Sequence, residues 1–201
     1  VSGGTVVAQG GKSANNNSYG VYVDDGSSIA VSGTGLLVAS SGVCGSKKTS
    51  QALNKAPTDG AETPAPLTVL AGAYGSKLAV YGNSTTYTNN IRTSTLDLSN
   101  NKTSSVWSNS TNSSGWKWDY AETGSTLTLK NMVIVGTDTT GSDTGSFGIQ
   151  GGQNISIVYE GVNVVCGGTS ESGDSCGIMD KVSGEAGLSL SGVGTLIALG
   201  R

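Results

Sequence analysis

The chain has 201 residues, of which 35% are apolar, 12% are charged and 32 are glycines, and its formal net charge is −3. Its 11 basic residues are scattered, so the sequence offers no electrostatic surface for nucleic acid or for an anionic membrane, and no stretch is apolar enough for membrane insertion. The chain contains no histidine, which excludes the ordinary serine and cysteine triads and most zinc sites.

Short alternating apolar runs predict β-strands along the whole chain. No segment has the apolar spacing of an amphipathic helix, and Ser, Thr, Asn and Gly occupy most of the remaining positions. The runs come in pairs separated by a glycine or a polar corner. These pairs are 29–31 with 36–38, 127–129 with 132–134, 155–157 with 162–164, and 188–190 with 195–197. The sequence therefore predicts an all-β protein.

A short phrase recurs three times and indicates stacked repeats. SYGV begins at Ser18, SFGI at Ser146 and SCGI at Ser175, and each phrase precedes one of the strand pairs. Gly148 and Gly177 lie 29 residues apart, which is the length of one solenoid turn. Because one copy cannot bury its apolar face alone, the copies are expected to stack in register as a right-handed parallel β-helix, or β-solenoid.

Recurrent glycines predict the corners of this helix. A glycine at a corner provides a positive φ or a close approach of two backbones. The first predicted set is Gly20, Gly148 and Gly177, and the second is Gly33, Gly161 and Gly192. The alternative architecture is a β-sandwich with glycine-rich turns, although sandwich strands do not repeat whole phrases.

Residues 1–201 are predicted to form a single β-helix domain or a fragment of a longer one, and two long polar excursions interrupt them. The first, at about 41–66, contains all three prolines, and the second, at about 83–120, is rich in Ser, Thr and Asn. Loops of this length within a compact array usually bind something or cover a core. We therefore expect functional residues in them.

The runs GGTVVAQGG, YGVYVDDGSSIAVSGTGLLVAS and GLSLSGVGTLIALG resemble the degenerate repeats of bacterial cell-surface parallel β-helix proteins with the pectate-lyase-like architecture. Some of these proteins are described as carbohydrate-binding domains. The resemblance covers about residues 1–42 and 121–201 and carries no catalytic signature. It implies an exported bacterial protein that contacts polysaccharide at the cell surface, sometimes with calcium.

The second excursion contains every tryptophan of the chain and supplies the predicted carbohydrate-binding site. In WKWDY, an extended backbone places Trp116, Trp118 and Tyr120 on one face, and Trp107 lies nearby in sequence. Sugar rings stack on such flat aromatic faces. The alternative is that the rings fold back and close one side of the solenoid core.

Four aspartates are candidates for a calcium site. Asp24 and Asp25 follow the first phrase, and Asp138 and Asp143 precede the second. Carboxylates and carbonyls of adjacent coils could hold Ca²⁺, which requires oxygen ligands. The alternative is that these aspartates are solvated turn residues.

Cys166 and Cys176 bracket a short loop and could form a disulfide. The alternative is that Cys176 is a free thiol, which fills the repeat position held by Tyr19 and Phe147 in the other two phrases. Cys44 is predicted to be a free thiol. The favoured function is a non-catalytic extracellular bacterial surface module that binds polysaccharide, or an adhesin for a host or cell-surface glycan. One alternative is a structural spacer or a self-stacking fibre unit, whose uncapped coil ends self-associate.

The other alternative is an enzyme acting on uronic-acid polymers. Asp24-Asp25 matches only a fragment of the polygalacturonase signature, and a lyase base would have to come from Arg92 or Lys102 near Asp97.

Overall fold

The computed structural model describes residues 1, 3–32, 34–42, 44, 48–59, 67–71, 76–83, 87, 89–140, 145–152, 154–170, 173–180 and 187–201. These residues are nearly all β, and their stacked parallel strands form a β-solenoid of about five turns. The predicted all-β parallel β-helix is confirmed. Within the described ranges, no helix has the length and hydropathy required to cross a bilayer.

The chain divides into two compact units, residues 1–88 with Arg201, and residues 89–200. The strands of the first unit are β1 (Thr5–Gln9), β2 (Ser18–Val21), β3 (Ala30–Val31), β4 (Leu36–Ser40), β5 (Ser50–Leu53), β6 (Thr58–Asp59), β7 (Leu67–Ala71) and β8 (Leu78–Asn83). Strands β4, β5 and β6 stack in parallel on β1, β2 and β3, which gives two coils. Strand β8 then pairs antiparallel with both β4 and β7.

The strands of the second unit are β9 (Ile91–Arg92), β10 (Leu96–Asp97), β11 (Gly115–Asp119), β12 (Ser125–Lys130), β13 (Val133–Val135), β14 (Ser146–Gly151), β15 (Ile155–Cys166), β16 (Ser175–Asp180) and β17 (Ser189–Leu199). Parallel pairing stacks β10, β14 and β16 in one sheet, and it stacks β12, β15 and β17 in another. A third face stacks β9 and β13 on the second half of β15, which pairs with β17. Strand β11 joins this array by antiparallel pairing with β12.

The core of the second unit consists of side-chain columns that run from coil to coil. Leu127 stacks on Ile157, and both side chains are 0% exposed. The repeat pattern in the sequence aligns the run 127–129 with the run 155–157, which would place Leu127 beside Ile155, two residues from its actual partner. Because alternate residues of a strand share a face, a shift of two keeps the apolar face inward and is invisible to the hydrophobic pattern.

The same shift affects one set of predicted corner glycines. Gly161 pairs with Gly194, whereas Gly192 pairs with Tyr159. The predicted equivalence of Gly161 and Gly192 is therefore wrong, and Gly33, the third predicted member, lies outside the described residues.

For the other set, the predicted equivalence of Gly148 and Gly177 is correct, because the register of β14 with β16 places them side by side. Both glycines lie within strands and not at a corner, so the corner prediction is wrong for them. The close approach of backbones does apply, because a Cβ on Gly148 would lie 2.8 Å from the Gly177 carbonyl oxygen.

The recurring Ser-x-Gly phrase begins a strand directly after a corner, because its serine is the first residue of β2, β14 and β16. The Ser18 hydroxyl donates to the Gly11 carbonyl at 2.7 Å, and the Ser175 hydroxyl donates to the Gly168 carbonyl at 2.7 Å. Ser50 and Ser146 make the corresponding bonds to Gly42 and Thr137. Each bond fastens the segment before the corner to the strand that follows, which explains why the serine recurs.

Replacing Ser18 with alanine is expected to lower the unfolding free energy of the first unit by about 1 to 3 kcal/mol, because buried polar groups lose their partners. The Ser18 hydroxyl donates to Gly11 and also accepts from the Gly42 amide at 3.1 Å. Scanning calorimetry of S18A measures the loss. The exposed Ser28 provides a control, S28A, and equal melting of the two variants would contradict the corner role.

Asparagine side chains also connect successive coils. Asn54 accepts from the Val23 amide at 2.7 Å and donates to the Val23 carbonyl at 2.8 Å. Asn163 accepts from the Met132 amide at 3.0 Å. In both cases the partner lies 31 residues away, so the side chain bridges one coil to the next. Part of the high asparagine content therefore serves the fold.

Both predicted excursions are narrower in the structure than the sequence suggested. Within 41–66, β5 and β6 stack on β2 and β3 and belong to the second coil. Within 83–120, β9 and β10 pair with β13 and β14 and form part of another coil. Strands of two to four residues carry too little alternation to be recognised among polar neighbours.

Candidate functional site

The aromatic run of the second excursion forms β11 and faces the core. In the antiparallel register with β12, Trp116 lies opposite Leu129 and Trp118 lies opposite Leu127, and both leucines are fully buried. Trp118 is only 2% exposed, whereas Trp116 and Tyr120 are half-buried and pack against the same core cluster. The predicted common face therefore exists, but it is turned toward the solenoid.

This orientation separates the four predicted carbohydrate-binding residues. The Trp118 ring is part of the core, as in the alternative interpretation, and has almost no surface on which a sugar could stack. Trp107 lies outside β11 and is half-buried. Tyr120 follows the end of β11 and is half-buried at the margin of the core. Of the four, Trp118 and Tyr120 line a common cleft, described below.

Serine hydroxyls cover the outer edge of β11. The hydroxyls of Ser104, Ser105 and Ser108 accept from the backbone amides of Tyr120, Trp118 and Trp116 at 2.9, 3.0 and 2.9 Å. The amides of Ser105 and Ser108 donate in return to the Trp118 and Trp116 carbonyls, each at 2.8 Å. The serine hydroxyls bond to the backbone groups that a neighbouring strand would otherwise bond to. The edge of β11 is therefore satisfied without a further paired strand.

A buried polar cluster fastens the far end of the excursion to the solenoid. Asn90, Asn109 and Ser114 are buried and bonded to one another. The Asn90 amide group donates to the Ser114 hydroxyl at 2.9 Å, and the Asn109 amide group donates to the Asn90 side-chain oxygen at 3.2 Å. Satisfied networks of this kind fix geometry in a low-dielectric interior. The sequence analysis did not identify these residues, because Asn and Ser are common throughout the chain.

A cleft of about 260 Å³ lies between two segments of the chain: residues 98–102, which follow β10, and residues 118–125, which run from the end of β11 to the start of β12. Its base includes the buried side chains of Leu98, Trp118 and Ile155. Its polar lining includes the side chains of Asn100, Asn101, Lys102, Tyr120 and Glu122. Neither Lys102 nor Glu122 forms an ion pair with a described residue. We call this site the Tyr120 cleft.

Local hydrogen bonds shape the loop on one side of the Tyr120 cleft. Asp97 accepts from the amide and the hydroxyl of Ser99 at 2.9 and 2.6 Å. The Trp118 indole donates to the Asn101 carbonyl at 3.0 Å. The Asn101 side-chain oxygen accepts from the Thr103 amide at 3.1 Å, and its amide group donates to no described residue, so it can serve as a donor for a ligand. The loop is thus organised before any ligand binds.

Two of the three candidate lyase groups, Arg92 and Asp97, make local structural hydrogen bonds. The Arg92 guanidinium donates to the carbonyls of Ser94 and Thr95, both at 3.0 Å. Asp97 is engaged by Ser99, as described above. Lys102 lines the Tyr120 cleft, where Glu122 is the single carboxylate among the described lining residues. A glycosidase of the usual kind requires two carboxylates across the scissile bond.

Among the calcium candidates that the structure describes, Asp24 and Asp25 belong to a local turn, whereas Asp138 bonds to another coil. Asp24 accepts from the Asp25 amide at 3.0 Å, and its carbonyl accepts from the Ser27 amide. Asp138 accepts from the Thr169 amide at 2.6 Å, a bond between successive coils. Asp143 lies outside the described residues. Among the residues that the structure describes, no three His, Cys, Asp or Glu side chains group in a way that could hold a metal ion.

All three cysteines lie in the described ranges, and each is a thiol. Cys166 is in β15, whereas Cys176 is in β16 and pairs with Phe147 of β14, as the column interpretation expected. Burial, and to a smaller extent the charge of Asp174, raises the pKa of the Cys176 thiol. This thiol is consequently a poor nucleophile near neutral pH.

Comparisons of the chain with protein-family models, with curated proteins and with solved structures find no match. The resemblance to cell-surface β-helix proteins therefore rests on the sequence repeats alone, and a β-solenoid fold does not by itself specify a function. The functional argument depends on the Tyr120 cleft.

Proposed function

We propose that this protein is a non-catalytic carbohydrate-binding β-solenoid, which holds one sugar unit of a polysaccharide in the Tyr120 cleft. The observation that carries the proposal is the composition of the cleft. A half-buried tyrosine ring and an apolar base lie beside side-chain amides and two charged residues, Lys102 and Glu122, that form no ion pair with a described residue. A pyranose ring has the complementary surface, because its C–H faces pack on aromatic rings and its hydroxyls bond to amides and charged groups.

The size of the cleft favours a single ring. Pockets for drug-sized molecules begin at roughly 300 Å³, and the Tyr120 cleft has a volume of about 260 Å³. A longer polysaccharide segment would have to continue over the adjacent surface. The single carboxylate in the described lining also supports binding rather than glycoside hydrolysis.

The proposal includes a location at the bacterial cell surface, where the protein would bind polysaccharide or act as an adhesin. This part rests on the resemblance of the repeats, and the stacked coils support it only as a suitable scaffold. A solenoid provides a stiff array on which a small site can be displayed. Calcium is not required by the chemistry of the Tyr120 cleft, whose lining can bond to hydroxyls directly.

Replacing Tyr120 with alanine is expected to weaken glycan binding about tenfold, the effect of losing about 1.4 kcal/mol of stacking and packing. Binding is measured by calorimetric titration with neutral and acidic oligosaccharides. Tryptophan emission provides a second signal, because Trp118 lines the same cleft. Tyr120→Phe keeps the ring and removes the hydroxyl, so it should retain most of the affinity.

Tyr22 provides the matched control, because it is a tyrosine that is 63% exposed and lies in the first unit. Tyr22→Ala should leave the affinity unchanged. Equal affinities of wild type and Tyr120→Ala would exclude the Tyr120 cleft as the site. Absence of binding to every neutral and acidic glycan tested would overturn the proposed function as a whole.

A further inference from the structure

The two charged side chains of the Tyr120 cleft lie at its mouth. Lys102 and Glu122 are exposed, whereas the base of the cleft, with Leu98, Trp118 and Ile155, is buried. Lys102 belongs to the loop after β10, and Glu122 belongs to the turn between β11 and β12. They form no ion pair with each other or with another described residue. Both charges can therefore bond to a ligand in the cleft.

The backbone segments that carry these two charges are held by hydrogen bonds. Beside Glu122, the Ser125 hydroxyl accepts from the Ala121 amide and donates to the Ala121 carbonyl, both at 3.1 Å. Beside Lys102, the Asn101 carbonyl accepts from the Trp118 indole at 3.0 Å. The two charges are thus attached to ordered segments on either side of the cleft.

A second carboxylate lies beside the Tyr120 cleft. Asp97 is exposed and accepts from the amide and the hydroxyl of Ser99, which lines the cleft. It forms no ion pair with a described residue. Among the described lining residues and their side-chain partners, the carboxylates of Asp97 and Glu122 therefore outnumber the single ammonium group of Lys102. Such an excess of negative charge disfavours an anionic ligand.

We propose that the Tyr120 cleft selects an uncharged pyranose over a uronic acid, an inference that rests on the proposed function. A uronate carboxylate would lose water above the apolar base and would lie near two carboxylates, with only Lys102 to offset both effects. A neutral ring uses both charges of the mouth. The Glu122 carboxylate accepts from ring hydroxyls, and the Lys102 ammonium group donates to hydroxyl oxygens. A protonated amino sugar would also lose water, and it would face the charge of Lys102.

Acidic oligosaccharides before and after carboxyl reduction test this selectivity. Reduction converts each C6 carboxylate into a hydroxymethyl group and leaves the rest of the ring unchanged. In whichever sugar series binds, the reduced form should bind about tenfold or more tightly at low ionic strength, as measured by calorimetric titration. High salt should narrow the difference, because it screens the charges of an exposed mouth.

Variants of the two charged residues should change the ratio of the two affinities in opposite directions. Glu122→Gln should bring the ratio toward one, because it removes a repulsive charge and weakens the bonds to neutral hydroxyls. Lys102→Gln should increase the ratio, because it removes the cation that offsets a uronate. A merely structural effect would weaken both forms together and leave the ratio unchanged.

Glu160 provides the matched control for the change of charge. It lies outside the described lining of the Tyr120 cleft and forms an ion pair with Lys130 at 2.8 Å. Glu160→Gln changes the net charge as Glu122→Gln does, so it should keep the wild-type ratio.

Three results would overturn the selectivity: an acidic form that binds as tightly as its reduced form, an amino sugar that binds more tightly than the neutral sugar, or an unaltered ratio in Glu122→Gln. The proposed function would survive each of them, provided that Tyr120→Ala still weakens binding. Absence of binding to every glycan, neutral or charged, would instead overturn the proposed function, and the selectivity with it.

Discussion

Replacement of Trp118 with alanine is expected to lower the unfolding free energy of the second unit by about 3 to 5 kcal/mol. The side chain is 2% exposed and packs in the cluster that contains Leu127 and Leu129. Alanine would leave a cavity there, and the Asn101 carbonyl would lose its indole partner. Urea unfolding followed by the fluorescence of Trp107 and Trp116 measures the change, because both lie in the same unit.

Trp107 supplies the comparison for this experiment. It is half-buried and lies outside β11, so Trp107→Ala should have a much smaller effect on the same unfolding transition. Trp118→Phe should fall between the two, because it fills most of the volume but cannot donate to Asn101. If Trp118→Ala unfolded at the same urea concentration as Trp107→Ala, the assignment of Trp118 to the core would be wrong.

The second large effect is expected at Gly148. A Cβ at this position would lie 2.7 Å from the Cys166 carbonyl oxygen and 2.8 Å from the Gly177 carbonyl oxygen. These atoms belong to the backbones of neighbouring strands and cannot move aside as the end of a flexible side chain can. Gly148→Ala should therefore destabilise the second unit by about 1 to 3 kcal/mol, the usual effect of overpacking.

Gly187 is the matched control for this substitution. A Cβ there would meet nothing within 4 Å, and its φ lies outside the left-handed region. Gly187→Ala should leave the unfolding transition nearly unchanged, or stabilise it slightly through the unfolded state. Tryptophan fluorescence during urea unfolding compares both variants with wild type. A Gly148→Ala variant as stable as Gly187→Ala would show that the coils can separate to admit a methyl group.

The Gly148→Ala and Trp118→Ala variants also distinguish an effect on folding from an effect on glycan binding. Gly148 lies in β14, outside the described lining of the Tyr120 cleft, whereas Trp118 is both a core residue and part of the base. If the proposed function is correct, folded Gly148→Ala protein should bind glycan with wild-type affinity. Trp118→Ala should lose affinity even under conditions in which it remains folded, because the cleft loses its base.

The structure differs from the sequence-based prediction more at the carbohydrate-binding site than in the fold. The alternation in WKWDY correctly indicated a strand with its aromatic rings on one face, but it could not indicate which way that face is turned. That direction depends on pairing with β12, whose register places Trp118 opposite the buried Leu127. The Tyr120 cleft joins residues from separate parts of the chain, including Asn101, Tyr120 and Ile155, and no local pattern marks such a set.

The sequence by itself determined the class of fold. The Ser-x-Gly phrase and the apolar pairs recur because each coil stacks on another coil. The stacking can therefore be recognised from the local sequence pattern. The tertiary structure decided the register, the direction of the aromatic face and the roles of the polar residues. A shift of two residues preserves every inward and outward position, and a serine has the same chemistry whether it covers an edge, as Ser105 does, or lies in solvent. Only the partner distinguishes these cases: the Ser105 hydroxyl accepts from Trp118, 13 residues away, and the Asn163 side chain accepts from Met132, 31 residues away.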